Sequence, residues 1–267
     1  MRDRVKHVLR VAAGGFFAAA LRVHSRVYEP RGPVVIIAPH PDDETLGCGG
    51  VIALLARRGA PVHPVFLTDG EASHTAHPVL TAPTLGLTRK KEAQAALTVL
   101  GGPAVAQAAV FLGYPDGRLD RLTSAEVENL HAALVELLRR TKAVAVFAPY
   151  RFGGSTEHTA AYAFTRSACA AAGGAELLEY PIWAWWNPFR LLPQLRLDAD
   201  NLCLPLDAPL RAAKRTALAC HRSQVEPTPP WPTPLLPAAI SRACLGRREY
   251  FFRQVVPSIS LCAAHSA

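Results

Sequence analysis

His40, Asp42, Asp43 and Glu44 fall within five positions of the stretch "IIAPHPDDETLGCGG", residues 36–50, behind an apolar run and ahead of a glycine cluster. An imidazole and a carboxylate three apart, on a turn stiffened by Pro39 and Pro41, can both reach one cation while Asp42 between them points toward water. A hydrolytic zinc site requires about three nitrogen or oxygen ligands, an open position, and a carboxylate outside the ligand set to act as base. Two other readings use the same residues. A strand, a glycine turn and a helix could cradle a nucleotide or a methyl donor, but Gly47, Gly49 and Gly50 miss the GxGxxG spacing, and carboxylates in the turn would repel a pyrophosphate. The third is a solvated acidic turn. A metal site accounts for these residue types best, and His158, beside Glu157 at the start of a helix, is the third-ligand candidate. Cys48 lies in the glycine turn where a helix begins and is not counted as a ligand.

Elements that position such a site are legible along the chain. Strand-like runs at 34–38 (VVIIA), 62–68 (VHPVFLT), 108–113 (AAVFLG), 143–149 (AVAVFAP) and 175–183 (AELLEYPIW) alternate with helical stretches. This alternation predicts an α/β fold, a single-domain, Rossmann-like parallel sheet flanked by helices. Sheets of that kind carry their active sites at the carboxyl ends of the strands, and the acidic motif follows the first of these runs. The Pro-rich stretch 225–237 reads as an extended loop.

The chain has 267 residues, half of them hydrophobic, enough for one large core. No run approaches the roughly 18 apolar residues of a membrane span, and a cytoplasmic protein is expected. Six scattered cysteines without a CxxC pair read as reduced, mostly buried thiols. Residues 1–31 hold seven Lys or Arg against two acidic residues, so +5 of the net +8 sits there. Its apolar centre, "VAAGGFFAAAL", reads first as a helix packed on the core or on a partner, with peripheral membrane contact and a secretion leader as the alternatives. An oligomer contact through this segment is the other use of its charge; no nucleic-acid partner is expected.

"APHPDDETLGCGG" resembles the signature of the LmbE-like/PIG-L family of metal-dependent N-deacetylases. The likeness continues through "LTDGEASH", "RKKEAQAAL", "FLGYPDGRL", "LLEYPIWAW" and "ACHRSQ", from residue 34 to about 253. It implies hydrolysis of the acetamide of an N-acetylglucosamine-containing conjugate, a small-molecule amino-sugar substrate, with a Zn2+ cofactor or, alternatively, Fe2+. It also implies that His40, Asp43 and His158 hold the metal, that Asp42 is the general base, and that Glu44 orients a ligand or a backbone amide. The expected organisation is a basic helical segment 1–30, a deacetylase domain 31–255 and a tail 256–267.

One departure stands out. The family reads His-x-Asp-His where this chain has Ser155, Thr156, Glu157 and His158. Ser155 replaces the histidine that helps stabilise the oxyanion or protonate the leaving amine, and His74 and His221 are the candidates to take over its work. Without such a substitute the protein would be a metal-binding, weakly active relative. Asp69, Glu71, Arg89 and Asp116 read as contacts to sugar hydroxyls, which need donors and acceptors in fixed places. Their alternatives are loop ends for Asp69 and Glu71, a helix-surface pair with Glu92 for Arg89, and a plain turn residue for Asp116. Trp183 is expected in the core, at the end of a strand.

Overall fold

A computed structural model describes residues 2–196 and 199–256, with side chains from residue 12 onward. In chain order the elements are α1 (Arg2–His24), β1 (Arg26–Val27), β2 (Val34–Ala38), α2 (Asp43–Arg57), β3 (Val62–Thr68), α3 (Ala82–Gln107), β4 (Val110–Tyr114), α4 (Ser124–Thr141) and β5 (Ala145–Pro149). Then come α5 (Thr156–Ala172), β6 (Glu176–Tyr180), β7 (Asn201–Pro205), α6 (Ala208–Cys220), α7 (Arg222–Val225), α8 (Ala238–Cys244) and β8 (Arg248–Gln254). Two short 3₁₀ segments, Trp183–Trp185 and Pro188–Leu195, bridge β6 and β7.

The strands form one eight-stranded sheet in the order β1-β7-β8-β6-β5-β2-β3-β4. Seven are mutually parallel; β8 alone runs antiparallel, between β6 and β7. The sheet is therefore mixed, and its β1, β7 and β8 edge extends beyond the five expected strands. β2 explains the two-faced architecture. Its residues VVIIA are all buried, the pattern of a strand covered on both sides. Val34, Ile36 and Ala38 join the core that includes residues of α2, α3 and α6, while Val35 and Ile37 join the core that includes residues of α4 and α5. Phe17 and Leu21 of α1 belong to the first of these cores. The expected tail from residue 257 onward, with Cys262, lies outside the described residues; the other five cysteines are free thiols, four of them buried.

The chain runs from β2 outward to β3 and β4, then returns to place β5 on the other side of β2. That reversal is a topological switch point, where the loops leaving two adjacent strands diverge and open a crevice. The helix leaving it is held tightly. A Cβ on Gly47 would come within 2.4 Å of the Tyr180 ring, so only glycine lets α2 lie this close to β6; the Tyr180 hydroxyl donates to Ile37 O at 2.7 Å. Behind α2, Lys214 and Glu249 form a buried ion pair at 2.6 Å. Glu249 also accepts the N–H groups of Gly50 and Val51, and Lys214 donates to Leu46 O. Breaking one side of such a pair costs about 3–5 kcal/mol because the other charge stays buried. Lys214→Met is accordingly expected to lower stability by roughly that amount, read from the shift of the urea unfolding midpoint.

Candidate metal centre

The turn after β2 is fixed at both ends. Pro39 O accepts the Thr68 N–H and hydroxyl at 3.0 and 2.9 Å, joining it to the end of β3. Asp42 caps α2 at φ 141°, a backbone region that costs a non-glycine residue about 1–3 kcal/mol and is concentrated at functional sites. Its N–H donates to Glu44 Oε2 at 2.9 Å, and Glu44 Oε1 takes the Thr45 hydroxyl at 2.6 Å. Glu44 thus holds the turn through a backbone amide, one of the two tasks foreseen for it.

Asp43 Oδ2 is the hub of the site. It lies 3.1 Å from His40 Nδ1 and 3.3 Å from His158 Nε2, and it accepts the His40 N–H at 3.0 Å. The three potential ligand atoms are within 4.8 Å of one another. His158 enters from the first turn of α5, after β5, the strand paired with β2. Its Nε2 is buried and makes no hydrogen bond. Two imidazole nitrogens, one of them orphaned, and one carboxylate oxygen form a donor set that fits a divalent transition metal.

The far nitrogen of His40 is equally placed. Nε2 lies 2.7 Å from Glu157 Oε2 and 3.1 Å from Asp116 Oδ1. Glu157 Oε1 accepts the N–H groups of Gly117 and Leu119 at 2.8 and 3.3 Å, so it ties the loop after β4 to the imidazole. Carboxylates of this kind orient a ligating histidine and raise its basicity. Burial lowers the His40 pKa, but Asp116, Asp43 and Glu157 outweigh it and raise it well above the usual imidazole range. For Asp43, burial pushes the carboxyl up, and His158 and His40 more than reverse that, holding it far below its usual range.

Asp42 is set apart from this cluster. Burial raises its carboxyl to about 6 against the pull of Arg89, whose guanidinium is 3.3 Å away. Arg89 is buried and donates to Gly70 O at 2.9 Å and Pro41 O at 2.7 Å. It lines the cavity beside Asp42 and is not paired with Glu92, which instead accepts from the Ser223 N–H and hydroxyl.

The other residues singled out in the sequence divide. Asp116 is in the site, with Oδ2 accepting the Ala72 N–H at 2.7 Å. Asp69 and Glu71 do not line the cavity: Asp69 pairs with Lys90 at 2.7 Å and Glu71 accepts the Asp116 N–H at 2.9 Å. His221 is fully buried beside α2, with Nε2 3.2 Å from Thr45 Oγ1 and 3.3 Å from Glu44 Oε1. His74 stacks on Trp231, ring centroids 5.0 Å apart. Neither histidine is among the residues lining the cavity. Ser155 does line it, and its Oγ caps α5 by accepting the His158 N–H at 3.4 Å.

The cavity measures about 350 Å³ and opens over His40, Asp42 and Asp43. Leu46, Ile182, Trp183, Leu235 and Leu236 also line it, together with Gln224 and Ser73. Trp183 is therefore a wall residue as well as packed against the core; β6 ends at Tyr180, and the 3₁₀ turn that follows presents the indole at the carboxyl edge of the sheet. Leu235, Leu236 and Gln224 were not singled out in the sequence. The Pro-rich stretch was a signal for Leu235 and Leu236, since a long ordered loop beside a strand end often carries function.

A doubly wound α/β chain with a two-histidine, one-carboxylate centre at its switch point defines the class. The pattern of the PIG-L family, described as GlcNAc-PI de-N-acetylase, matches residues 35–169, and the chain belongs to that family. It is 32% identical over 168 residues to a 1D-myo-inositol 2-acetamido-2-deoxy-alpha-D-glucopyranoside deacetylase of Mycolicibacterium smegmatis, covering 57% of this chain and 58% of that protein. The chain spans 51–58% of the length of the first curated relatives it matches. Among solved structures it is similar to the N,N'-diacetylchitobiose deacetylase of Pyrococcus horikoshii, with 26% identity and TM-score 0.53 over 73% of this chain and 71% of that one. The fold is shared with the A40926 pseudoaglycone deacetylase Dbv21, at TM-score 0.64 and 17% identity, over 86% of this chain and all of that one.

Proposed function

We propose that the protein is a zinc-dependent N-deacetylase that hydrolyses the acetamide of an N-acetylglucosamine-containing conjugate, giving acetate and a free amino sugar. The observation that carries this reading is the division of labour between two neighbouring carboxylates, Asp43 gathered with His40 and His158, and Asp42 held apart against Arg89. His40, Asp43 and His158 would hold the metal, ferrous iron being the alternative because an all N/O site discriminates poorly. When bound, the metal supplies a Lewis acid for the acetamide oxygen and for the water that attacks its carbon.

The remaining work falls to the chain's own groups. Asp42 takes the proton of the attacking water, and Arg89, fixed by two carbonyls, holds that carboxylate toward the cavity. Asp42 then returns the proton to the departing nitrogen, since among the described residues His40 is the only histidine that lines the cavity and its far nitrogen is committed to Glu157 and Asp116. Trp183 and the leucines exclude water and face the sugar ring, while Gln224 and Ser73 offer hydrogen bonds to its hydroxyls. The relatives named as acting on 2-acetamido-2-deoxy-glucopyranosides and on diacetylchitobiose support this substrate class. A screen of N-acetylglucosaminyl conjugates for released acetate tests it; acetate from none of them, by protein that retains metal, would contradict it.

A second reading, a metal-binding relative of low activity, is favoured by Ser155 alone. Ser155→His is expected to raise turnover by supplying a cation beside the developing oxyanion. It is also expected to lower stability by about 0.5–2 kcal/mol through loss of the α5 cap. Turnover and thermal unfolding of the one variant check both.

A further inference from the structure

α1 presents two apolar sides. Phe17 and Leu21 face the core, whereas Ala12, Phe16, Ala19 and Val23, spaced as one stripe around the opposite side, are exposed to solvent. Phe16 is 62% and Val23 80% exposed. Phe189 and Leu192, on the 3₁₀ segment packed beside α1, are exposed as well. A surface helix ordinarily turns charge outward, so this stripe is unexplained by the fold.

Beside it lies an apolar cleft of about 770 Å³, between that helix and the turn from α8 into β8. Ala18, Trp185, Leu206 and Tyr250 form its apolar walls, and Arg22, Arg242, Arg247 and Arg248 line it with no acidic residue among the described residues there. Arg22, Arg242 and Arg247 form no ion pair with any described residue. Some arginines elsewhere on the surface are paired, Arg26 and Arg253 with Asp200, Arg57 with Asp207 and Arg58 with Glu29; what sets the cleft apart is four guanidinium groups with no carboxylate among the described residues that line it.

We propose that the outward stripe of α1 and the arginine-lined cleft beside it dock the protein on an anionic phospholipid surface. The stripe and the cleft walls would take up acyl chains, and the unmatched guanidinium groups would bind lipid phosphates. Charge decides against a second copy of this chain as the occupant, because facing clefts would bring Arg22, Arg242, Arg247 and Arg248 of both copies together with no carboxylate among the described residues that line them. The docking is peripheral; among the described residues no helix is long and apolar enough to cross a membrane. It stands independently of the deacetylase reading.

Co-sedimentation of the full chain with vesicles tests this. Binding is expected to vesicles of phosphatidylcholine mixed with phosphatidylglycerol, to weaken with salt, and to be absent with phosphatidylcholine alone. Arg22→Gln, Arg242→Gln and Arg247→Gln should each reduce vesicle affinity about fivefold, as one basic residue near an anionic surface contributes about that much. Phe16→Ser with Val23→Ser should reduce it further, with circular dichroism and the unfolding midpoint unchanged because both positions are exposed. Equal binding to neutral vesicles, no vesicle binding, or affinity indifferent to these substitutions would overturn the proposal. So would displacement by millimolar inorganic phosphate at constant ionic strength, which would assign the arginines to a soluble anion, or a dimer that the stripe variants dissolve while vesicle binding persists.

Discussion

Asp42→Asn is expected to keep the metal and lose hydrolysis by about 10²- to 10⁴-fold, the contribution of a positioned general base. Asparagine suits the test. It is nearly isosteric with aspartate, so the N-cap position of α2 keeps a side chain of the same size and shape. The amide can still accept from Arg89 but cannot take a proton from water. Metal content and turnover measured on the same preparation separate the roles: loss of metal together with activity would make Asp42 a ligand and undo the division between the two aspartates.

His158→Ala should have the opposite signature. Removing one of three donors leaves His40 and Asp43, which cannot close a tetrahedral site, and bound metal is expected to fall far below one per chain after dialysis. Folding should survive, because α2 and the β2 turn are held by Tyr180, Lys214 and Glu249 rather than by the metal. Full metal retention with an unchanged unfolding transition would remove His158 from the ligand set.

The parallel core of the fold was legible in the sequence. Short apolar runs separated by helical stretches reveal crossover connections, and the acidic motif behind the first run marks a strand end. β7 and β8 were not legible. "NLCLP" is short and ends in proline, "REYFFRQ" is interrupted by charge, and their pairing joins segments some 45 residues apart, as between Leu204 and Glu249. Nothing local announces an antiparallel strand inserted into a parallel sheet.

At the site, spacing brought His40 and Asp43 together, and the order of the strands suggested His158. Arg89 shows where local pattern fails. Its separation from Glu92 fits a helix-surface pair, yet inside the protein Arg89 is taken up by the carbonyls of Gly70 and Pro41 and by the charge of Asp42. His74 and His221 show the same limit, since a histidine in a family motif carries no information on which way its ring faces. One is taken up by Trp231 and the other by Glu44.

The most direct test of the account is acetate release from an N-acetylglucosaminyl conjugate by a single preparation that is stripped of metal with a chelator and then titrated with zinc. Release is predicted to vanish on stripping and to return in proportion to zinc bound, saturating at about one ion per chain, the number a single three-ligand site holds. Release that persists in the stripped protein, or that fails to return although zinc binds at that stoichiometry, would contradict it.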